Sequence, residues 1–356
     1  MILMKKAVFF EKEAQNSVTC TACERKCRIS EGMFGSCGVR VNKDGDLFCV
    51  VYGNVTEAYA DPIEKKKLSH VLPGEKAFSI GTIGCNFSCD FCLNWEISQV
   101  PKELVKQFVG DGFSDTKSNG THVGYDLSPI EVVEYCLRRG YRIIAYTYNE
   151  PTIWIEYALD ISRLGRKHGL KSVFVTNGYM SGSVVEKISE TMDAVAIDLK
   201  SFDEKFYRKH CKASLEPVLR NIKDFYSRGI WVELTTLVIP WENDSVTELH
   251  KIADFIAGVS SSIPWHIIQF SPDYKLLDRP RTPEKTLEKA YDIGHKAGLD
   301  YVYLGNVRDE KRTSTSCPSC KERLISRDGY DTTLHDMFDR TGKCKKCGEM
   351  VPGVWN

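Results

Sequence analysis

The chain lacks long hydrophobic runs, and no stretch reaches the roughly 20 apolar residues that a membrane-spanning helix needs. It also lacks an excess of charge: Lys plus Arg and Asp plus Glu both total 48, a formal net charge of zero. That balance argues against broad polyanion binding and against nucleic acid as a main partner. The first residues, MILMKKAVFFEKE, hold an apolar run too short for a signal peptide, and charges interrupt it at once. There is no internal repeat beyond a strand–helix unit and no long low-complexity tract. These absences lead us to expect a cytoplasmic protein with no membrane partner. At 356 residues it is long enough for one large domain with small appendages.

Cysteine is abundant instead. Fourteen are present, and eleven fall into three clusters with C-x2-C or C-x3-C spacings. Such spacings belong to metal sites in a reducing compartment rather than to a disulfide framework. Cys20, Cys23, Cys27 and Cys37 form the first cluster. A hairpin is expected after them, with "VRV" and "LFCVVY" flanking "NKDG". Cys85, Cys89 and Cys92 form the second, in "CNFSCDFC". Cys317, Cys320, Cys344 and Cys347 form the third, as "CPSC" and "CKKC". The paired knuckles of the third read as a zinc ribbon. The first suits zinc or an auxiliary iron–sulfur cluster, with zinc the preferred reading.

The chain divides into an N-terminal cysteine-rich cap (1–75), a central core (76–311) and a C-terminal ribbon-like module (312–356). The core alternates short apolar runs with helical segments. The runs are "AFSIGT", "YRIIAYTY", "KSVFVT", "DAVAIDL", "IWVELTTLVI", "WHIIQF" and "DYVYL". This pattern predicts an α/β fold, a partial or complete TIM-like (β/α) barrel with its chemistry at the C-terminal strand ends. "SPIEVVEYCLRRG" has Ser128 as N-cap, Pro129 at N1, Glu131 closing a capping box and Gly140 as its stop. A long polar loop is expected over residues 110–124.

The second cluster stops at three thiols, although structural zinc and ordinary 4Fe–4S clusters take four ligands. Either the three thiols form a structural zinc site that borrows a distant ligand, or three thiolates hold a 4Fe–4S cube with one iron left open. C-x3-C-x2-C with the aromatic Phe91 before its last cysteine resembles the motif of the radical S-adenosylmethionine (radical SAM) superfamily. The resemblance implies that SAM chelates the open iron and is cleaved reductively to methionine and a 5′-deoxyadenosyl radical. The fold implied is the partial barrel of that superfamily.

Further site residues follow strand end by strand end. In "YTYNEPT", Asn149 and Glu150 match the position that holds the SAM amino group; read alone, Glu150 is a helix-N-terminus acid. In "FVTNG", Thr176 and Asn177 are expected by the resemblance to meet the ribose. In "AIDLK", Asp198 and Lys200 resemble the D-x-K pair of glycyl-radical activating enzymes, and read alone are an ion pair. Asn306 in "LGN" is expected to close the pocket from the last strand. Val175 and Ser271 depart from the activating-enzyme pattern, which carries aspartate and histidine there.

"DPIEKKKLSH", "FYRKHCKASLEPVL", "SPDYKL", "YVYLGNV" and the terminal "PGVW" resemble the AmmeMemoRadiSam radical SAM family, often labelled pyruvate formate-lyase activating enzyme-like, although Leu93 replaces the usual glutamine. That implies Memo-type and AMMECR-type companions, a low-potential electron donor such as ferredoxin or flavodoxin, and an unidentified substrate. Among the single cysteines, Cys49 and Cys136 read as core. Cys211, after the fourth barrel strand, is either a loop residue or a hydrogen-atom donor to a substrate radical. Lys65, Lys66 and Lys67 read as a solvated run or, by the family resemblance, as lining the pocket entrance. The alternative functions are a glycyl-radical activase acting on a partner protein and a zinc-ribbon nucleic-acid-binding module.

Overall fold

The computed structural model describes residues 4–102 and 124–356. The expected polar loop over 110–124 lies outside them, apart from Gly124. Seven parallel strands and one antiparallel strand form the central sheet. They are β1 (Glu57–Pro62), β2 (Lys76–Gly81), β3 (Ile143–Tyr146), β4 (Lys171–Thr176), β5 (Ala194–Asp198), β6 (Trp231–Val238), β7 (Trp265–Gln269) and β8 (Val302–Gly305). Spatial order follows chain order from β1 to β8. β1 pairs antiparallel with β2, and every later pair is parallel. Parallel strands covered on both faces have no polar side to alternate with, so their sequences are near-continuous apolar runs. β3, for example, is buried at all four residues.

The crossovers are α1 (Pro129–Arg139), α2 (Ile155–Lys167), α3 (Gly182–Ser189), α4 (Glu216–Ser227), α5 (Val246–Val259) and α6 (Glu284–Lys296). Each buries one face on the sheet. α1 begins with the expected capping box: Ser128 accepts from the Glu131 N–H, Glu131 accepts in return, and Gly140 ends the helix at φ 70°. Cys136 lies on its buried face. The result is an open (β/α) barrel of mixed α/β class whose sheet draws its first strand from before residue 76.

Ahead of the barrel lie two small antiparallel sheets. One joins Lys5–Lys6, Asp46–Cys49 and Arg40–Lys43; the other joins Phe10–Lys12, Val18–Cys20 and Arg28–Ile29. The expected hairpin is present, turning at Asp44 and Gly45 with positive φ at both (55° and 71°). Arg40 anchors this layer through a 2.7 Å buried ion pair with Glu156 of α2. Behind the barrel, Thr315–Ser316, Arg323–Asp328 and Asp331–Leu334 form a third antiparallel sheet. The chain end then returns to the barrel: Val354 pairs with Val71, and the Pro352 carbonyl lies 2.7 Å from His70 Nδ1. Among the described residues, no helix is long and apolar enough to cross a membrane.

Candidate active site

β2 ends at Gly81, and the chain turns sharply into the three-cysteine loop. Only glycine fits at Gly84: φ is +86°, and an added Cβ would lie 2.5 Å from the Cys37 carbonyl oxygen. Cys85 and Cys89 are buried and Cys92 is partly buried. Burial raises the Cys85 and Cys92 thiols above their ordinary range. Cys89 is raised further by a hydrogen bond with Cys211 and by burial. Free thiols in this setting stay protonated, and an electropositive metal centre would reverse that.

The donor set fits an iron–sulfur cluster with one open position. Three thiols share one loop, and Lys102 and Lys200 act on Cys85 and Cys89 as neighbouring positive charges. Lys102 is itself fixed, donating to the Phe87 carbonyl (2.6 Å) and Ser88 Oγ (2.9 Å). Ser98 Oγ stands 3.1 Å from Cys92 Sγ. Asn86 Nδ2 is buried with no protein partner among the described residues, so the loop keeps a donor for a group that is not protein.

The ends of β3 and β4 meet beside this loop. Glu150 Oε1 accepts from Thr152 N (3.1 Å), Thr152 Oγ1 (2.5 Å) and Thr176 Oγ1 (2.7 Å), and Oε2 accepts from Asn177 N (2.7 Å). Burial raises the Glu150 carboxyl, and these donors pull it back. Oε2 retains acceptor capacity, since a carboxylate oxygen can take two donors. Asn177 Nδ2 reaches Asn86 Oδ1 at 2.7 Å, joining β4 to the cysteine loop.

Asn149 stands differently. Its Nδ2 lies 3.1 Å from Thr82 Oγ1, 3.1 Å from the Ile83 carbonyl and 2.9 Å from the Gly84 carbonyl, while Oδ1 accepts from Thr82 N and Trp154 Nε1. Its amide is committed to the backbone just before Cys85, so it shapes the loop instead of facing open space.

After β5, Lys200 Nζ binds Asp198 Oδ2 at 2.8 Å and lies 5.8 Å from the centre of the Phe91 ring. Burial opposes its charge, but Asp198, Cys89 and Cys211 outweigh it and hold Lys200 firmly protonated. Phe91 is buried against Phe206 and His210. Cys211 is fully buried in the π-turn Tyr207–Cys211, whose carbonyls at His210 and Cys211 accept from Asp90 N and Ser88 N. Its thiol thus lies against the cysteine loop with no open face. Asn306 sits across the barrel at the end of β8, with φ +61° and Nδ2 donating to the Gln269 carbonyl at 3.3 Å. Ser271 is exposed, and Val175 is partly exposed.

Several contacts had no readable sequence signal. Lys275 N donates to the Asp90 carbonyl (2.9 Å), and Tyr274 stacks on Trp95 at 5.4 Å, so the segment after β7 braces the cysteine loop. Of the lysine run only Lys65 is exposed. Lys66 is buried on Asp61 (2.6 Å), and Lys67 turns into the barrel, where Nζ lies 3.4 Å from Asn306 Oδ1. Local sequence shows three adjacent lysines and nothing of the strand ends they reach.

At the far end of the chain, the Sγ atoms of Cys317, Cys320, Cys344 and Cys347 all lie within 4.8 Å of one another. Donor type and spacing fit a metal module.

An open (β/α) barrel with a three-thiol loop after its first parallel strand, a buried carboxylate just beyond the third sheet strand and an Asp–Lys pair at the end of the fifth has the layout of a barrel enzyme with its polar groups gathered at the C-terminal strand ends. Comparison with known proteins supplies the family. The radical SAM superfamily profile matches residues 79–256, which contain the loop and both polar groups. An uncharacterized protein of Methanocaldococcus jannaschii, MJ0808, is 39% identical over 98% of this chain and 99% of its own length. A putative glycyl-radical enzyme activating enzyme of the same organism, MJ1632, is 25% identical over 67% of this chain and 82% of its own. The pyruvate formate-lyase-activating enzyme of Clostridium pasteurianum is 24% identical over 58% and 86%. The chain belongs to the radical SAM superfamily and is a SAM-dependent enzyme.

Proposed function

We propose that this enzyme binds a 4Fe–4S cluster on Cys85, Cys89 and Cys92, cleaves SAM reductively, and directs the resulting radical at a substrate hydrogen. The observation that carries the reading is the placement of two buried thiols and one partly buried thiol, with no fourth ligand in their motif, beside the Glu150–Thr176–Asn177 group and the Asp198–Lys200 pair. When bound, the reduced cluster would supply the one electron that breaks a carbon–sulfur bond of SAM. The protein's own residues bind and orient. The free acceptor capacity of Glu150 Oε2 suits the SAM amino group, a charge-assisted bond. Lys200, kept protonated beside Cys89, offsets thiolate charge and suits the SAM carboxylate. Thr176 and Asn177 fix the Glu150 rotamer. A low-potential one-electron donor such as ferredoxin or flavodoxin is required as reductant.

A second reading makes the target a glycine of a partner protein. It is favoured by the relatives named as activating enzymes and by the Asp198–Lys200 pair. The further placement in the AmmeMemoRadiSam branch, with Memo-type and AMMECR-type companions, rests on sequence resemblance.

Anaerobic protein given dithionite and SAM should release 5′-deoxyadenosine, and Cys89→Ala should release none. Full turnover by Cys89→Ala would overturn the assignment. A persistent glycyl doublet in electron paramagnetic resonance, arising only with a partner protein, would select the activase reading.

A further inference from the structure

The two outer cysteine groups differ in how closely their sulfurs gather. At the C-terminal site Cys317 and Cys347 are 3.5 Å apart and Cys320 and Cys344 are 3.7 Å apart. A tetrahedral zinc with sulfurs at 2.3 Å spaces them about 3.8 Å apart, so this site is already collapsed to zinc dimensions. The N-terminal group is not. Among the described residues, no three of its four Sγ atoms lie within 4.8 Å of one another.

The four are nevertheless one group. Cys20, Cys23, Cys27 and Cys37 line a single hollow with about 10 Å³ of room at its centre, about enough for one water molecule. A closed zinc tetrahedron leaves no such room, because its centre lies only about 2.3 Å from every sulfur. Sulfurs held apart around one hollow suit ligands to different atoms of one group rather than to a single ion.

A second observation points to the charge of that group. Arg40 lines the same hollow. Its Nε donates to the Ile153 carbonyl (2.9 Å) and its Nη2 to Glu156 (2.7 Å), but Nη1 is buried without a partner among the described residues. A buried guanidinium N–H is costly to leave unpaired, and a sulfur of an anionic group would accept from it. Ser36 Oγ, 3.3 Å from Cys27 Sγ, offers another donor at the rim. The hollow also adjoins the catalytic loop, since the Cys37 carbonyl packs against Gly84, the residue before Cys85.

We propose that Cys20, Cys23, Cys27 and Cys37 hold a second iron–sulfur cluster of the four-iron type, with Arg40 Nη1 donating to one of its sulfurs. This replaces the zinc preferred from spacing alone. It goes beyond the proposed SAM chemistry and does not depend on it.

The test uses the full chain with Cys85, Cys89 and Cys92 all changed to alanine, reconstituted anaerobically with iron and sulfide. We expect about four irons per chain, visible iron–sulfur absorption and a paramagnetic signal on reduction by dithionite. Iron below one per chain in folded protein, whatever the zinc content, overturns the proposal. Should that variant fail to fold, the wild type and Cys23→Ala/Cys27→Ala decide. Wild type should carry about eight irons and the double variant about four, with zinc unchanged. Loss of one zinc with no loss of iron overturns the proposal. Deoxyadenosine release by the wild type is read separately, so failure of the SAM reading leaves the iron count interpretable.

Discussion

Glu150 and Lys67 show how single side chains are held at a cost. Glu150 is buried with four internal donors, yet one oxygen has capacity to spare. In Glu150→Gln an amide N–H replaces one acceptor, and either the Asn177 N–H or the threonines lose their partner. We expect a stability loss of about 1–3 kcal/mol, together with weaker SAM binding by calorimetry. A drop in melting temperature with unchanged affinity would confine Glu150 to bracing β4. Lys67 carries no ion pair within 4.0 Å among the described residues, and burial lowers it from 10.5 to about 8, with Asp198 partly opposing. A lysine lowered on folding is penalised below its folded value, and the penalty fades as pH rises from about 8 to 10.5. Lys67→Met should therefore raise stability at pH 7, by about 1 kcal/mol after allowing for its partial exposure, and the gain should shrink toward pH 10. Activity should fall if the ammonium serves a substrate anion. A variant less stable than wild type at pH 7 would show that Lys67 has a compensating partner.

The cysteine loop is an element with no regular structure, and other elements supply its shape. Asn149 from β3 binds the backbone at Thr82, Ile83 and Gly84; the π-turn at 207–211 caps Ser88 and Asp90; and Tyr274 stacks on Trp95. Asn149→Ala should leave these carbonyls without their donor and loosen the triplet. We expect reconstituted variant protein to lose the paramagnetic signal that shifts on adding SAM, while the barrel's far-ultraviolet circular dichroism persists. An unaltered shift would mean that the loop holds itself. This dependence explains what the sequence made legible. The seven apolar runs became the seven parallel strands, because burial on both faces forces continuous apolar sequence. Ser128 and Glu131 could be read because a capping box is local. β1, with sequence EAYADP, escaped notice because an edge strand keeps charged and exposed residues. The Asn149 brace, the inward turn of Lys67 and the Arg40–Glu156 pair escaped because their partners lie 65 to 239 residues away. Motif spacing could nominate the three thiols, but it could not show that Asn149 holds their loop while Glu150 keeps an oxygen available.

At the scale of the molecule, the barrel is closed at the end opposite the site by a buried polar network that joins all three parts of the chain. Glu233 at the start of β6 accepts from the backbone N–H of Ser69 and His70, both at 2.8 Å, from Trp231 Nε1 at 3.0 Å, and pairs with His266 Nε2 at 2.7 Å. His70 bridges the Pro352 carbonyl and the Tyr303 hydroxyl, both at 2.7 Å, and Arg327 Nη2 binds the Ser69 carbonyl at 2.7 Å. Burial alone would raise Glu233, but its donors hold it below its ordinary 4.5. Burial lowers His70 to about 4 and also lowers His266 below 6.5. All three shifts act in one direction. As pH falls below 6.5 the unfolded chain protonates its histidines before the folded chain does, and below 4.5 it protonates Glu233 first. The network's contribution to stability is therefore complete above about pH 6.5 and is lost progressively in acid, by up to about 1.4 kcal/mol per pH unit for each such group. Urea midpoints should fall between pH 7 and 5. Glu233→Gln should cost about 2–4 kcal/mol at pH 7, because the Ser69 and His70 N–H groups lose a charged acceptor, and this deficit relative to wild type should narrow below pH 4.5. Because both proteins keep the same cysteines, acid loss of metal cancels in the difference. A deficit that stays constant down to pH 3 would show that Glu233 is not ionised in the folded barrel, and the closure would then rest on the histidines and Arg327.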